Sequence, residues 1–254
     1  MILMSRKMMW SMLACVAVAT MAGCKDSSKS STSQPAAQTG QPSGTAQSKP
    51  ATGGQAGETG KPDTAAIIKA LDSASPAPIQ QAIAAGMDVS SPLHGLPYTP
   101  LDYAISKRRG AVAKVLIEKG ADLSFRDKSG ATYLHRAAAM SMPDVVDALL
   151  RKGADIAATN QLGQTALHKA CIADSLPCVE LLTDRQTDMN VKTKAGDTPL
   201  QCTESAEVAA YLLAKGADPN VADGDGMTVL HTACDRNSLE MVKTLVEHHA
   251  DVNA

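Results

Sequence analysis

His135, His168 and His231 each stand three residues after a Thr, and Asp223-Gly-Asp-Gly226 places two carboxylates two residues apart. Imidazoles can ligate a metal or act as general bases, and Asp-x-Asp-Gly can begin a calcium loop. Spacing argues against both. The histidines occupy equivalent places in separate units, so they do not converge on one ion. The Asp-Gly-Asp-Gly segment lacks the later ligands and the closing Glu of a calcium loop, and it falls where a tight turn is required. Cys171, Cys178, Cys202 and Cys234 show no zinc-site spacing. Gly-x-Ser-x-Gly, Walker-type and His-Glu-x-x-His sequences do not occur. Lys107-Arg108-Arg109 is the one basic run; it reads as a complement to the C-terminal end of its helix, with anionic-ligand binding the alternative.

The units that position these residues are visible as a period. A Thr two residues before Leu or a similar apolar residue falls at Thr99, Thr132, Thr165, Thr198 and Thr228, spaced 33, 33, 33 and 30 residues. An Asp closes each unit at Asp122, Asp155, Asp188, Asp218 and Asp251. A period near 33 predicts a solenoid of stacked units. The short interval arises between Cys202 and Val208, where one loop is three residues tighter. Gly130, Gly163, Gly196 and Gly226 suit turns needing positive φ. The Thr that follows caps a short helix, with Pro100 or Pro199 at its first position. Leu134, Ala137 and Ala138 share one face of that helix, and Val145, Val146, Leu149 and Leu150 face inward from a second. Neither helix buries its apolar face alone, so neighbouring units must stack into an all-α repeat solenoid.

The segments Gly130-Ala-Thr-Tyr-Leu-His135-Arg-Ala, Gly163-Gln-Thr-Ala-Leu-His168-Lys-Ala and Gly226-Met-Thr-Val-Leu-His231-Thr-Ala resemble the ankyrin repeat, as do Lys119-Gly-Ala-Asp-Leu, Lys152-Gly-Ala-Asp-Ile and Lys215-Gly-Ala-Asp-Pro-Asn. The resemblance spans five units over 95–254, with a degenerate capping unit over 64–94. It implies that the three histidines brace the hairpins by hydrogen bonds. Asp102 and Gln201 replace the motif His, and Gln186 and His249 replace the terminal Gly, so those four corners are expected to be less well capped. It also implies a concave protein-binding face without a cofactor. The contact positions it supplies are Lys128, Ser129 and Ala131; Gln161, Leu162 and Gln164; Lys194, Ala195 and Asp197; and Asp225 and Met227. Met140, Ile172 and Arg236 join them from the first helices, and the mixture of Met and Leu with polar neighbours suits a protein surface.

The N-terminal quarter has a different composition. Arg6-Lys7 precedes the apolar run 8–20, too short for an ordinary membrane span but suited to a secretory leader. It ends at Met21-Ala-Gly-Cys24, which resembles a bacterial lipoprotein cleavage site: residues 1–23 would be removed and Cys24 lipidated, the alternative being an ordinary cleaved leader that happens to contain a cysteine. Several acyl chains would anchor the chain stably. Lys25 favours outer-membrane sorting in a Gram-negative cell, giving a periplasmic-face location, although Asp26 weakens that signal. The stretch 25–63 has no Val, Ile, Leu, Met, Phe, Tyr or Trp and cannot bury enough surface to fold. As a tether 24–63 reaches on the order of 30–35 Å. Export to an oxidising compartment raises one disulfide, Cys171 with Cys178, late in one helix and early in its antiparallel partner; the alternative is that all four cysteines are small packing residues.

The chain carries a net charge of −2, and the leader holds its lone Trp10, so no broad basic patch or aromatic platform suggests nucleic acid. The expectation is therefore a non-enzymatic envelope protein that binds, localises, protects or inhibits another envelope protein. The alternative is an envelope enzyme or small-ligand receptor using the groove. At the C-terminal end Met241, Val242, Leu245 and Val246 are expected to leave apolar surface open to a partner or a second copy.

Overall fold

The computed structural model describes residues 63–93, 98–185 and 187–254. The expected leader, the lipidation site Cys24, the tether up to residue 62 and the corner at Gln186 lie outside them. Among the described residues all regular structure is helical. The leading pair is α1 (Thr64–Asp72) and α2 (Ala77–Ala84). Five further pairs follow: α3 (Pro100–Ser106) with α4 (Gly110–Glu118), α5 (Tyr133–Ala139) with α6 (Pro143–Arg151), α7 (Ala166–Ile172) with α8 (Leu176–Thr183), α9 (Pro199–Cys202) with α10 (Ala206–Ala214), and α11 (Val229–Asp235) with α12 (Leu239–Glu247). The first helices α3, α5, α7, α9 and α11 stack on one another as an inner row, and the second helices stack as an outer row.

Size patterning produces those rows. The inner helices bring small side chains to the stack, with Ala104, Ala137, Ala138, Ala170 and Cys171 wholly buried, so backbones approach closely. The outer helices carry the bulk: Val112, Leu116, Val145, Val146, Leu149, Val179, Leu182 and Leu212 are wholly enclosed. Each Val or Leu buried this way contributes about 1.5–3 kcal/mol. The largest fully buried side chain, Tyr133, stacks on Phe125 with ring centroids 4.7 Å apart and reaches the Thr99 hydroxyl of the preceding unit at 2.5 Å.

Within a pair, the chain reverses on a single left-handed residue. Arg108, Ser141, Asp174 and Asn237 hold φ between 47° and 54° at equivalent places. Each returns its own N–H and that of the next residue to the inner helix, as Ser141 does to Ala138 and Met142 to Ala137. Outer helices end on Gly86, Gly120, Gly153 and Gly216, all at positive φ. His249 takes the same conformation at φ 63° and keeps the same closing bonds, its N–H to Val246 and that of Ala250 to Leu245. The weaker cap expected there is thus a matter of backbone strain, about 1–2 kcal/mol for a residue with a Cβ, and not of missing bonds.

The pair α9–α10 breaks the pattern. Helix α9 has only four residues and Thr203 leaves it extended, so the left-handed corner is absent. Asp174 of the preceding pair replaces it: its Oδ1 accepts the N–H groups of Glu204 and Ser205 and the Thr203 hydroxyl. This is the structural form of the shortened 30-residue interval.

Candidate interaction face

Four hairpin fingers, each preceding an inner helix, form the face. Asp127, Asn160, Thr193 and Asp223 open them, and each side-chain oxygen accepts the N–H of the residues two and four positions on. This short polar side chain folded onto its own backbone makes the turn. The Asp-Gly-Asp-Gly segment is such a turn, with Asp223 bonded to Asp225 and Met227. Among the described residues no three His, Cys, Asp or Glu side chains converge to hold a metal.

Backbone bonds join the fingers into one rank: Gln161 N–H to Ser129, Lys194 N–H to Leu162, and Gly224 N–H to Ala195, at 2.8–2.9 Å. They approach so closely that a Cβ on Gly196 would lie 2.5 Å from the Gly224 nitrogen.

The histidines fasten the rank to the helices. Nδ1 of His135 accepts the Thr132 N–H, which leaves the proton on Nε2 to donate 2.8 Å to the Gln164 carbonyl of the next finger. His168 repeats this with Thr165 and Asp197. Burial lowers both pKa values, that of His168 to about 4, so both rings are neutral. His231 makes the same bond to Thr228 within its own unit. Gln201 reproduces the whole device with an amide: Oε1 accepts from Thr198, and Nε2 donates to the carbonyls of Val221 and Met227. The weaker corner expected at Gln201 is therefore corrected. At Asp102 only half the cap exists, Asp102 N–H to the Thr99 hydroxyl, and the buried carboxylate instead pairs with Arg136 of the next unit. Burial pushes the Asp102 carboxyl up, against the pull of Arg136.

Most of the expected contact positions stand at the surface. Lys128, Ser129, Gln161, Leu162, Lys194, Ala195 and Asp225 are exposed finger-tip residues, and Ile172 and Arg236 are exposed on the inner row. Met140, Gln164, Asp197 and Met227 are half-buried. Gln164, Asp197 and Met227 spend their carbonyls on the histidines and Gln201, and Arg236 pairs with Glu204 at 3.0 Å. Ala131 is a correction. It is 6% exposed, its N–H and carbonyl both bound to Asp127, so it closes the finger and presents nothing to a partner.

Two further expectations change. Cys171 and Cys178 are not bonded to each other. The Cys178 thiol bonds Ser175 and the Met142 backbone, whereas Cys171 is wholly enclosed and lies near Cys202 and Asp174. The basic run is split: Lys107 caps the C-terminus of α3 and lies over the Tyr103 ring at 5.6 Å, but Arg109 precedes α4, where a helix dipole repels a cation.

Sequence reading missed a column. Tyr103, Arg136, Lys169, Cys202 and Thr232 each lie four residues after a capping Thr, and all are half-buried along the inner row. The period that placed the histidines places this column one residue later. Tyr103 donates to Asp72 at 3.0 Å, and Arg136 bonds Asp102 and, at 2.6 Å, the Ser106 hydroxyl. Asp127 on the first finger attracts both Arg136 and Lys169 electrostatically.

Comparison with known proteins supplies independent bearings. The family model for ankyrin repeats (3 copies) matches residues 67–160, 134–223 and 167–254. Among curated proteins, an ankyrin repeat protein, L92, of Acanthamoeba polyphaga mimivirus is 44% identical over 45 residues, 18% of this chain and 11% of that protein. NF-kappa-B inhibitor alpha of Gallus gallus is 46% identical over 46 residues, 18% and 14% of the respective chains. These matches thus span well under a fifth of either relative. Among solved structures, the ankyrin repeat domain of Bcl-3, a member of the IkappaB protein family, aligns with TM-score 0.63 and 29% identity over 73% of this chain and 86% of that one. EF0377, an ankyrin repeat protein, aligns with TM-score 0.64 and 21% identity over 73% and 98%, a likeness of fold.

Proposed function

Because the chain belongs to the ankyrin-repeat family, whose repeats are protein–protein interaction modules, we propose that it is a lipid-anchored protein of a bacterial envelope that binds another envelope protein through its fingers and inner row. The observation that carries the binding surface is the backbone-linked rank of exposed tips from Lys128 to Asp225 above the half-buried column. A rank held this rigidly gives up little ordering entropy when a partner docks. The envelope setting is supported by Arg6-Lys7, the short apolar run and Met21-Ala-Gly-Cys24, and the tether would let the repeats search for a partner. Of localisation, protection and inhibition, the name of one relative, NF-kappa-B inhibitor alpha, favours inhibition. Of the four residues expected to lie open at the C-terminal end, Met241 and Leu245 are buried against the core and Val242 is half-buried; Val246, with Leu239 and Val252, exposed at 47%, 64% and 66%, supports a second contact with another copy of the chain.

A photoreactive residue at Leu162 and another at Lys194, crosslinked in cells, test the reading. One discrete envelope protein captured at both sites is the expected result. Lipid and background adducts alone would sink it. Radiolabelled fatty acid incorporated by the wild type and lost with Cys24→Ser tests the anchor; equal labelling of both removes it.

A further inference from the structure

Among the cations of the inner row, Arg136 is held by Asp102 and Ser106, whereas the equivalent Lys169, one unit on, has no hydrogen bond or ion pair with any described residue. Its setting makes that costly. Lys169 is half-buried on α7, beside Cys202, and burial lowers the pKa of its ammonium. Cys202 is the larger electrostatic influence on it and Asp127 the next, and the Asp127 carboxylate already accepts the N–H groups of Ser129 and Ala131 and the Ser129 hydroxyl. A half-buried cation with no protein partner in a concave face is a place that a partner's opposite charge can take.

The surroundings define what brings it. Ile172 lies one turn further along α7, on the same face, and is 46% exposed. Leu162, 41% exposed, tips the finger immediately before that helix. Lys128 and Lys194 are exposed on the two flanking fingers, again without ion pairs. Lysines thus stand on the first finger, the third finger and α7, the elements on either side of the exposed Leu162 and Ile172, with Asp127, Asp197 and Asp225 on the same rank.

We propose that Lys169 is the seat of a partner carboxylate, so that the groove takes an acidic protein segment whose Asp or Glu meets Lys169 while a neighbouring apolar side chain packs on Leu162 and Ile172. This rests on the groove being the binding face. Electrostatic complementarity of this kind fixes register and excludes basic partners as much as it adds affinity.

The probe is a display library of random peptides selected on the full chain. Enriched peptides are expected to carry Asp or Glu beside Leu, Ile or Phe, to weaken about tenfold on Lys169→Met and to recover with Lys169→Arg. Lys169→Met itself is expected to keep or raise the thermal midpoint, by up to about 2 °C, because it removes the burial penalty of a half-buried ammonium, so lost binding cannot be ascribed to unfolding. Peptides that are neutral or basic, or that depend on Leu162 but ignore Lys169→Met, would overturn the acidic seat and leave the groove standing. Selected peptides indifferent to Leu162→Asp would overturn the groove reading, and the seat with it.

Discussion

The Asp174 carboxylate accepts the backbone N–H of Ser205 at 3.1 Å, so a residue of one repeat caps the outer helix of the next. The same oxygen takes the Glu204 N–H at 3.0 Å and the Thr203 hydroxyl at 2.5 Å, while the Ser205 N–H is shared with the Thr203 Oγ1 at 3.2 Å. Asp174→Ala should lower stability by about 1–3 kcal/mol, read from the urea midpoint, whereas Asp174→Asn keeps an acceptor and should lose less. An unchanged midpoint in the Ala variant would mean that water caps this loop equally well.

His168 and Gln201 perform one task with different chemistry, and that separates bonding from titration. Burial holds His168 down to about 4, below its ordinary 6.5. Between those values the unfolded chain binds a proton that the folded chain refuses. Stability from this residue is therefore complete above about pH 6.5 and is lost as pH falls towards 4, by about 3 kcal/mol. His135 is shifted in the same direction and adds to the loss. His168→Gln should cost about 1 kcal/mol at neutral pH and flatten the acid limb of unfolding curves recorded from pH 7 to 4. An equally steep limb in the variant would show that other groups govern acid unfolding.

The residues above also show how far the sequence could be read. The helix pairs, the fingers and the bracing histidines were legible because each depends on one unit and its copy 33 residues on. What escaped depends on contacts between units that differ. Nothing in Asp102 announces an ion pair with Arg136, since the two lie 34 residues apart and the period fixes their positions but not their charges. Gln201 looked like a defect because a one-letter pattern does not state that an amide offers the same acceptor and donor as a neutral imidazole. Ala131 was chosen by its place in a variable finger, although its two backbone bonds to Asp127 turn it inward. Lys169 was passed over because a lysine reads as solvent-facing until its half-buried place on α7 is known.

Gly153 and Gly196 separate conformational strain from crowding. Both have positive φ, 83° and 88°. A Cβ on Gly153 meets nothing within 4 Å, but one on Gly196 would fall 2.5 Å from the Gly224 nitrogen. Gly153→Ala should therefore cost about 1–2 kcal/mol, the penalty for the left-handed region. Gly196→Ala should cost more and, because the backbone must shift, also weaken the bond from Gly224 N–H to Ala195. Hydrogen exchange at Gly224 is the second readout. Equal destabilisation with unchanged exchange would show that the fingers slide apart freely.

The thiols test how the pairs face one another. Cys234 is exposed, whereas Cys171 and Cys178 are fully enclosed. Burial also raises both buried thiol pKa values, Cys171 most, which removes the reactive thiolate at neutral pH. With Cys15→Ser and Cys24→Ser in place, an aromatic disulfide reagent should modify Cys234 at once, and reach Cys171 and Cys178 only as the repeats unfold. Mild oxidation of the folded chain should leave Cys171 and Cys178 unlinked, because both are free and wholly enclosed. A Cys171–Cys178 crosslink formed at the rate of Cys234 modification would mean that α7 and α8 rotate about their axes without global unfolding. The tight stack of Ala170, Cys171 and Leu182 argues against that, since each has no exposed surface to turn through.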